Sequence, residues 1–275
     1  MEPNGSRFLT AQWLNLAILN FEIDPDVLKP LVPEGTELDE FEGGALASVV
    51  GFEFRDTRVW GLSIPFHRNF AEVNLRFYVR RKLPSGWRRG VAFVKEFAPR
   101  RAVAWTARHF FGENYATVQM RHQFEVVRSS GTHGASDSIC SARYTWRYAG
   151  GDHHLAVSAS GPARYPTEGS EESFVIEQWW GYSRGAERAK GRKRADRRTL
   201  EYRVEHPRWR LRTAGEARFE ADVARLYGAE FVESLSAPSR SAYLVDGSQV
   251  AVYRGMKMRA PAASPSKFTA RKQGS

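Results

Sequence analysis

Residues 70–81, FAEVNLRFYVRR, alternate between apolar and polar side chains, and this pattern constrains the fold more than any other part of the chain. In a β-strand, side chains two positions apart share a face. One face therefore carries Ala71, Val73, Leu75, Phe77 and Val79, and the other carries Glu72, Asn74, Arg76 and Tyr78. The apolar face predicts a core contact. The polar face meets water, the commoner outcome for such a strand, or lines a ligand pocket, which its mixture of Glu, Asn, Arg and Tyr favours.

Period-two patterning recurs along most of the chain and predicts a strand-rich fold. Short turns such as 83–86, 129–136 and 150–152 imply antiparallel pairing. A further turn at Asp246-Gly247 predicts a hairpin between 241–246 and 249–255. The other predicted strands are 8–22, 45–55, 70–82, 89–97, 115–128, 138–148, 154–161, 199–206 and 209–219.

Helical patterns are fewer and shorter. A turn or two follows Asp24-Pro25, a helix is expected over 100–111, Ser170 can cap a helix over 171–182, and a last short helix is expected over 221–227. Many antiparallel strands with a few peripheral helices indicate an α+β fold built on a strongly curved sheet or a closed barrel.

Composition indicates a folded chain, since 42% of its 275 residues are hydrophobic and eight are Trp. Residues 1–256 are predicted to form a single domain and 257–275 a disordered tail. The N-terminus lacks the pattern of a signal peptide, and the apolar run 13–21 is too short to span a bilayer. The one cysteine, Cys140, cannot form an intrachain disulfide. We therefore expect a cytoplasmic protein without a membrane segment.

The chain has a net charge of +10, and much of the excess of Lys and Arg lies in residues 184–203. The first part of this segment, 184–198, is predicted to be a basic loop. Its GRKRADRR run has no interleaved aromatic residue and reads as a solvated insert rather than a stacking groove. No helix-turn-helix, zinc-finger or RNA-recognition signature accompanies it, so nucleic acid is not the expected ligand. The alternative is a non-enzymatic protein that docks an anionic macromolecule through this loop.

A series of modest motifs, spread over residues 8–256, resembles the YqjF-like family of uncharacterised bacterial proteins. They are Trp13…Asn20, Leu31-Val-Pro33-Glu-Gly35, Leu38-Asp39-x-Phe41-x-Gly43, Glu72-Val-Asn74-Leu-Arg76-Phe-Tyr78, Gly90-Val-x-Phe93, Ala107-Arg108-x-Phe110, Tyr115…Met120, Phe174-x-x-Glu177 and Val204-x-His206-Pro207-x-Trp209. That family is grouped with acetoacetate-decarboxylase-like proteins. The resemblance implies a cone-like antiparallel barrel around an interior cavity.

The resemblance also implies a missing group. In acetoacetate decarboxylase, the helix matching 102–111 leads into a turn whose lysine forms a Schiff base. Here the corresponding turn is 112–116, and Tyr115 stands where the amine is needed. A phenol cannot form an imine, so the fold carries over without that chemistry. Lys95, on a predicted face with Val91, Phe93 and Phe97, is a weaker candidate amine and is more typical of a lysine at a strand end.

The leading hypothesis is a protein that binds a small anionic or carbonyl-bearing molecule in a barrel cavity; whether it is an enzyme is left open. Arg76 and Arg108 would orient the ligand, and Asn74 and Tyr115 would supply hydrogen bonds. Glu72 and His206 are the candidate proton-transfer groups, with a hydrogen-bonded core histidine as the alternative for His206. Glu177 is a further candidate, which either faces solvent or pairs with an inward arginine such as Arg76 or Arg108. The histidine spacing does not suggest a metal site, no cofactor is expected, and a homo-oligomer is left open.

Overall fold

The computed structural model describes residues 6–63, 67–99, 114–131, 134–184 and 199–258. Among these residues the strands are β1 (Arg7–Ile23), β2 (Glu37–Leu38), β3 (Glu40–Phe41), β4 (Gly44–Val59), β5 (Leu62–Ser63), β6 (Phe70–Leu83), β7 (Gly86–Pro99), β8 (Tyr115–Gly131), β9 (Gly134–Tyr148), β10 (Gly151–Ser158), β11 (Trp180–Ser183), β12 (Leu200–Glu205), β13 (Leu211–Thr213), β14 (Glu216–Glu220), β15 (Ser241–Tyr253) and β16 (Met256–Lys257). The α-helices are α1 (Pro25–Leu28), α2 (Glu171–Ile176), α3 (Val223–Leu226) and α4 (Val232–Ser236), with 3₁₀ turns at Lys29–Leu31 and Ala229–Phe231.

These strands form one curved sheet in the order β14-β10-β9-β8-β7-β11-β12-β15-β1-β4-β6-β2, and β7 also pairs with β6. The pairings are antiparallel except for β7 with β8 and β7 with β11. The predicted strand-rich α+β fold is therefore confirmed. The strand order from β7 through β11 to β6 leads back to β7, so the sheet curls round on itself. The barrel does not close, because β11 pairs with β7 only through Gly181 and Val91, and the result is a curled sheet.

The curled sheet has a core on each side. We call the first of them the outer core; it contains the apolar face of β6 packed with residues of β8, β9 and β10. The second, the inner core, lies within the curl of the sheet and contains Tyr78. On the polar face, Glu72 is 2% exposed and Asn74 is 3% exposed. The alternative of a solvated outer face on β6 is therefore wrong, because this face turns into the curl of the sheet.

Two predicted boundaries fail because the backbone departs from regular geometry. The hairpin expected at Asp246-Gly247 does not form, and β15 continues through both residues with Gly247 paired to Leu14. Gly247 has φ +83°, and a Cβ there would lie 1.9 Å from the carbonyl oxygen of Trp13, so this position needs glycine. The strand predicted over 209–219 divides into β13 and β14.

The helix predicted over 171–182 begins as expected, with the Ser170 hydroxyl accepting a hydrogen bond from the Ser173 amide at 3.3 Å. It ends at Ile176, because Glu177 has ψ 64°, outside the helical region. The chain then enters β11. The expected helix over 100–111, with Arg108, and most of the basic loop, 185–198, lie outside the described residues. The predicted tail begins too early, since Met258 is buried in the outer core.

Candidate functional site

A cavity of about 60 Å³ lies inside the curl of the sheet, with room for about four water molecules. Its lining includes charged or hydrogen-bonding side chains that could orient a small ligand, among them Glu72, Asn74, Arg76, Glu96, Tyr115 and Gln178. The apolar and aromatic walls include Trp13, Phe52, Phe93, Trp180 and Trp209. Such a mixture of apolar walls and a few convergent polar groups is typical of small-molecule sites.

Glu72 lies at the centre of the polar wall and is held by two neutral donors. Its Oε1 accepts a hydrogen bond from Asn74 Nδ2 at 3.1 Å, and its Oε2 accepts one from the Tyr115 hydroxyl at 3.2 Å. Two residues of β6 and the first residue of β8 thus meet in one cluster. Two donors to one carboxylate fix its orientation toward the cavity.

Arg76 is anchored at one edge of its guanidinium. Its Nη2 donates to the carbonyl oxygen of Val175, in α2, at 3.1 Å. Its Nε is buried and has no hydrogen-bond partner within the described part of the chain, where no carboxylate forms an ion pair with Arg76 either. Of the two arginines considered as partners of Glu177, Arg76 therefore does not pair with it, and Arg108 lies outside the described residues. The buried N–H of Arg76 lacks an acceptor among the described residues.

Glu177 and its neighbour Gln178 face different environments. The Glu177 carboxylate accepts a 2.5 Å hydrogen bond from Arg208 Nε in an ion pair outside the cavity lining. Gln178 lines the cavity, is 8% exposed, and donates from Nε2 to the Phe174 carbonyl oxygen at 2.5 Å. The sequence analysis missed Gln178 because it extended the helix past Ile176, where the side-chain directions change.

A β-bulge in β7 brings Glu96 into the cavity. Leu75 pairs with Lys95, whereas Arg76 pairs with Phe93, so one extra residue of β7 lies between them. The predicted common face of Lys95 and Phe93 is therefore wrong. The Lys95 ammonium lies over the rings of Phe97 and Tyr148 in the outer core, and donates to the Tyr148 hydroxyl at 3.1 Å and to the Leu226 carbonyl oxygen at 2.8 Å. Glu96, beyond the bulge, was missed because period-two reasoning assumes an unbroken register.

His206 is not among the residues that line the cavity. Its ring stacks on Trp209, which does line it, with centroids 3.9 Å apart, and its Nδ1 donates to the Pro207 carbonyl oxygen at 2.8 Å. Burial is the largest influence on the pKa of His206 and lowers it, which favours the neutral imidazole. This geometry fits the core histidine rather than the cavity acid or base. Arg108 lies outside the described residues.

No group of three or more His, Cys, Asp or Glu side chains in the described ranges could hold a metal ion. None of the helices in those ranges is long and apolar enough to cross a bilayer.

Comparisons with known proteins relate this chain to a protein family and to solved structures of a known fold. A family model, DUF2071, described as an uncharacterized conserved protein, matches residues 10–249. The uncharacterized protein YqjF of Bacillus subtilis is 31% identical over 122 residues, which are 44% of this chain and about half, 49%, of that relative.

Solved structures share the fold at 12% sequence identity. An acetoacetate decarboxylase-like enzyme from Sphingomonas wittichii matches with a TM-score of 0.59 over 93% of this chain and 95% of that chain. The enduracididine biosynthesis enzyme MppR, complexed with pyruvate, matches with a TM-score of 0.59 over 93% and 91%. Acetoacetate decarboxylase from Legionella pneumophila matches with a TM-score of 0.57 over 92% and 87%.

Proposed function

We propose, for a chain that belongs to the DUF2071 family of uncharacterized conserved proteins and has an acetoacetate-decarboxylase-like fold, that its cavity binds a small carboxylate through Arg76. The family membership agrees with the resemblance seen in the sequence motifs. The substrate class and the role of each residue are inferred from the geometry of the cavity.

The observation that carries the proposal is the buried Arg76 Nε without an acceptor in the described part of the chain. An arginine keeps its charge, and a buried N–H donor without an acceptor is costly. A ligand carboxylate at Nε would supply both a counter-charge and a hydrogen bond. The Val175 carbonyl oxygen fixes the guanidinium in place, so that little side-chain entropy remains to be lost on binding.

The same cavity supplies a group for proton exchange with the ligand. Glu72 is buried and lines the cavity beside Arg76 on one strand face, and its orientation is set by Asn74 and Tyr115. Tyr115 supplies a hydrogen bond where the decarboxylase resemblance requires an amine, and Lys95 packs in the outer core. We therefore propose binding, with proton transfer by Glu72, and no imine chemistry at these two positions. MppR, which shares the fold, has been solved with pyruvate, so a small carboxylate is a reasonable first probe.

The alternative function, docking of an anionic macromolecule, depends on the basic loop. Most of this loop lies outside the described residues, so the alternative stays a prediction from the sequence.

Calorimetric titration of the full chain with pyruvate and acetoacetate tests the proposal. Wild type should bind at least one of them saturably, and Arg76→Met should weaken that binding about tenfold or more, since it removes a charge-assisted hydrogen bond of about 1.5–3 kcal/mol. Arg208→Met is the matched control, because Arg208 is half exposed and pairs with Glu177 away from the cavity lining. Equal binding by Arg76→Met and wild type would overturn the role of Arg76, and no binding by wild type of pyruvate, acetoacetate, lactate, glycerate or serine would overturn the proposal.

A further inference from the structure

The cavity contains an excess of hydrogen-bonding groups that its own walls do not satisfy. Within the described residues, the side chains that line it include Trp13, Asn74, Arg76 and Gln178, each of which has a buried polar atom without a hydrogen-bond partner. Two of these atoms are donors, Arg76 Nε and Trp13 Nε1, and two are acceptors, Asn74 Oδ1 and Gln178 Oε1. Buried polar atoms of this kind are rare in folded proteins, and their concentration in one cavity points to a ligand.

The two acceptors are assigned by chemistry. Asn74 Nδ2 faces a carboxylate oxygen of Glu72, and Gln178 Nε2 faces the carbonyl oxygen of Phe174. A carbonyl can only accept, and an ionised carboxylate also only accepts, so a flipped amide would set two acceptors against each other. In both amides it is therefore the carbonyl oxygen that lacks a donor.

These two carbonyl oxygens distinguish between classes of small carboxylate. The carboxylate of any such acid can accept from Arg76 Nε and Trp13 Nε1. An ionised 2-oxo acid such as pyruvate has no donor, so it would leave Asn74 Oδ1 and Gln178 Oε1 unsatisfied when it displaces water. Two glutamates, Glu72 and Glu96, line the same cavity and also favour a donor over a further acceptor.

We infer that the ligand is a small carboxylate that also carries hydrogen-bond donors, as a hydroxy acid or an amino acid does, rather than a 2-oxo acid. The inference rests on the proposed function and refines its substrate class. The carboxylate bonds to Arg76 Nε, and hydroxyl or ammonium hydrogens bond to the carbonyl oxygens of Asn74 and Gln178. When a site has acceptors for a donor group of its ligand, it discriminates strongly against an analogue without that donor. This discrimination is larger than the one an apolar pocket makes between ligands that differ only in size.

Three-carbon acids test this inference at nearly constant size. Pyruvate has no donor, lactate has one hydroxyl and glycerate has two, and serine replaces one hydroxyl of glycerate by an ammonium group. In calorimetric titrations of the full-length wild type, lactate should bind at least about tenfold more tightly than pyruvate. Glycerate or serine should bind more tightly still, and the tighter of the two identifies the donor.

Gln178→Met tests the assigned acceptor, since it removes the amide carbonyl and keeps the length of the side chain. It should weaken the binding of the preferred donor-bearing acid more than it weakens the binding of pyruvate, whereas equal losses for the two acids would contradict the assigned acceptor. Circular dichroism establishes that the variant is folded, and if it is not, the ligand series on wild type decides alone.

The outcomes separate the inference from the function on which it rests. Pyruvate binding as tightly as lactate, glycerate and serine, in an Arg76-dependent manner, would overturn the inference and leave the proposed function standing. No binding of any of the four acids or of acetoacetate would overturn both.

Discussion

Tyr115 and Glu72, 43 positions apart in the chain, meet through a hydrogen bond of 3.2 Å from the phenol to Oε2 of the carboxylate. Strand register explains the contact. Asn74 of β6 pairs with Glu96 of β7, and Glu96 pairs with Tyr115 of β8, so three neighbouring strands deliver these side chains to one cavity. The Tyr115 phenol thus positions a buried carboxylate.

Tyr115→Phe should destabilise the fold by about 1–3 kcal/mol, because it removes one of the donors that satisfy the buried Glu72 carboxylate. Urea denaturation measures the change in the free energy of unfolding. Tyr165→Phe is the matched control, since Tyr165 is 57% exposed and its substitution should change stability by less than about 0.5 kcal/mol. Equal stabilities for the two variants would show that this hydrogen bond contributes nothing.

Stability should depend on pH through His206. Burial lowers the pKa of His206 in the folded protein, so the unfolded chain, with the ordinary value of 6.5, binds the proton at a higher pH. The unfolded state then holds more protons between the two values, and stability rises with pH in that window. The contribution of the neutral ring is present above pH 6.5 and is lost as the pH falls below it.

His206→Gln isolates this contribution, because the other titrating groups cancel in the difference between wild type and variant. The difference in the free energy of unfolding, wild type minus variant, should be larger at about pH 7.5 than at about pH 5. A difference that stays constant between these two values, or grows as the pH falls, would contradict the lowered pKa.

Lys95 should not form an imine with acetoacetate. Its ammonium lies over two aromatic rings in the outer core and donates to the Leu226 carbonyl oxygen at 2.8 Å, and Lys95 is not among the residues that line the cavity. Borohydride reduction in the presence of acetoacetate, followed by peptide mass spectrometry, should leave Lys95 unmodified. Acetoacetate decarboxylase treated in parallel is the positive control, and an adduct mapped to Lys95 would reverse this assignment.

The alternation of β6 predicted correctly which residues share a face, and the structure brings Glu72, Asn74, Arg76 and Tyr115 to one cavity. The pattern could not tell what covers the polar face, because alternation reports side-chain direction and not the neighbouring strands. Period-two reasoning also cannot foresee a bulge, which is why Glu96 was missed.

The residues after α2 illustrate a second limit. Helical periodicity selected Glu177, but the helix ends one residue earlier, and Gln178 is the residue that turns into the cavity. Similarly, His206 shares an apolar pattern with its strand, yet the stacked ring of Trp209 takes the position on the cavity wall. Element ends and side-chain stacking depend on tertiary contacts that one sequence does not display.

The central claim, that Arg76 holds a carboxylate inside the cavity, is tested most directly by a crystal structure of the full chain grown with lactate or pyruvate. We expect density for the acid in the cavity, with a carboxylate oxygen about 2.8 Å from Arg76 Nε. Density for the acid only at another place, such as Lys95 or the exposed basic side chains, with Arg76 Nε still unbonded, would contradict it.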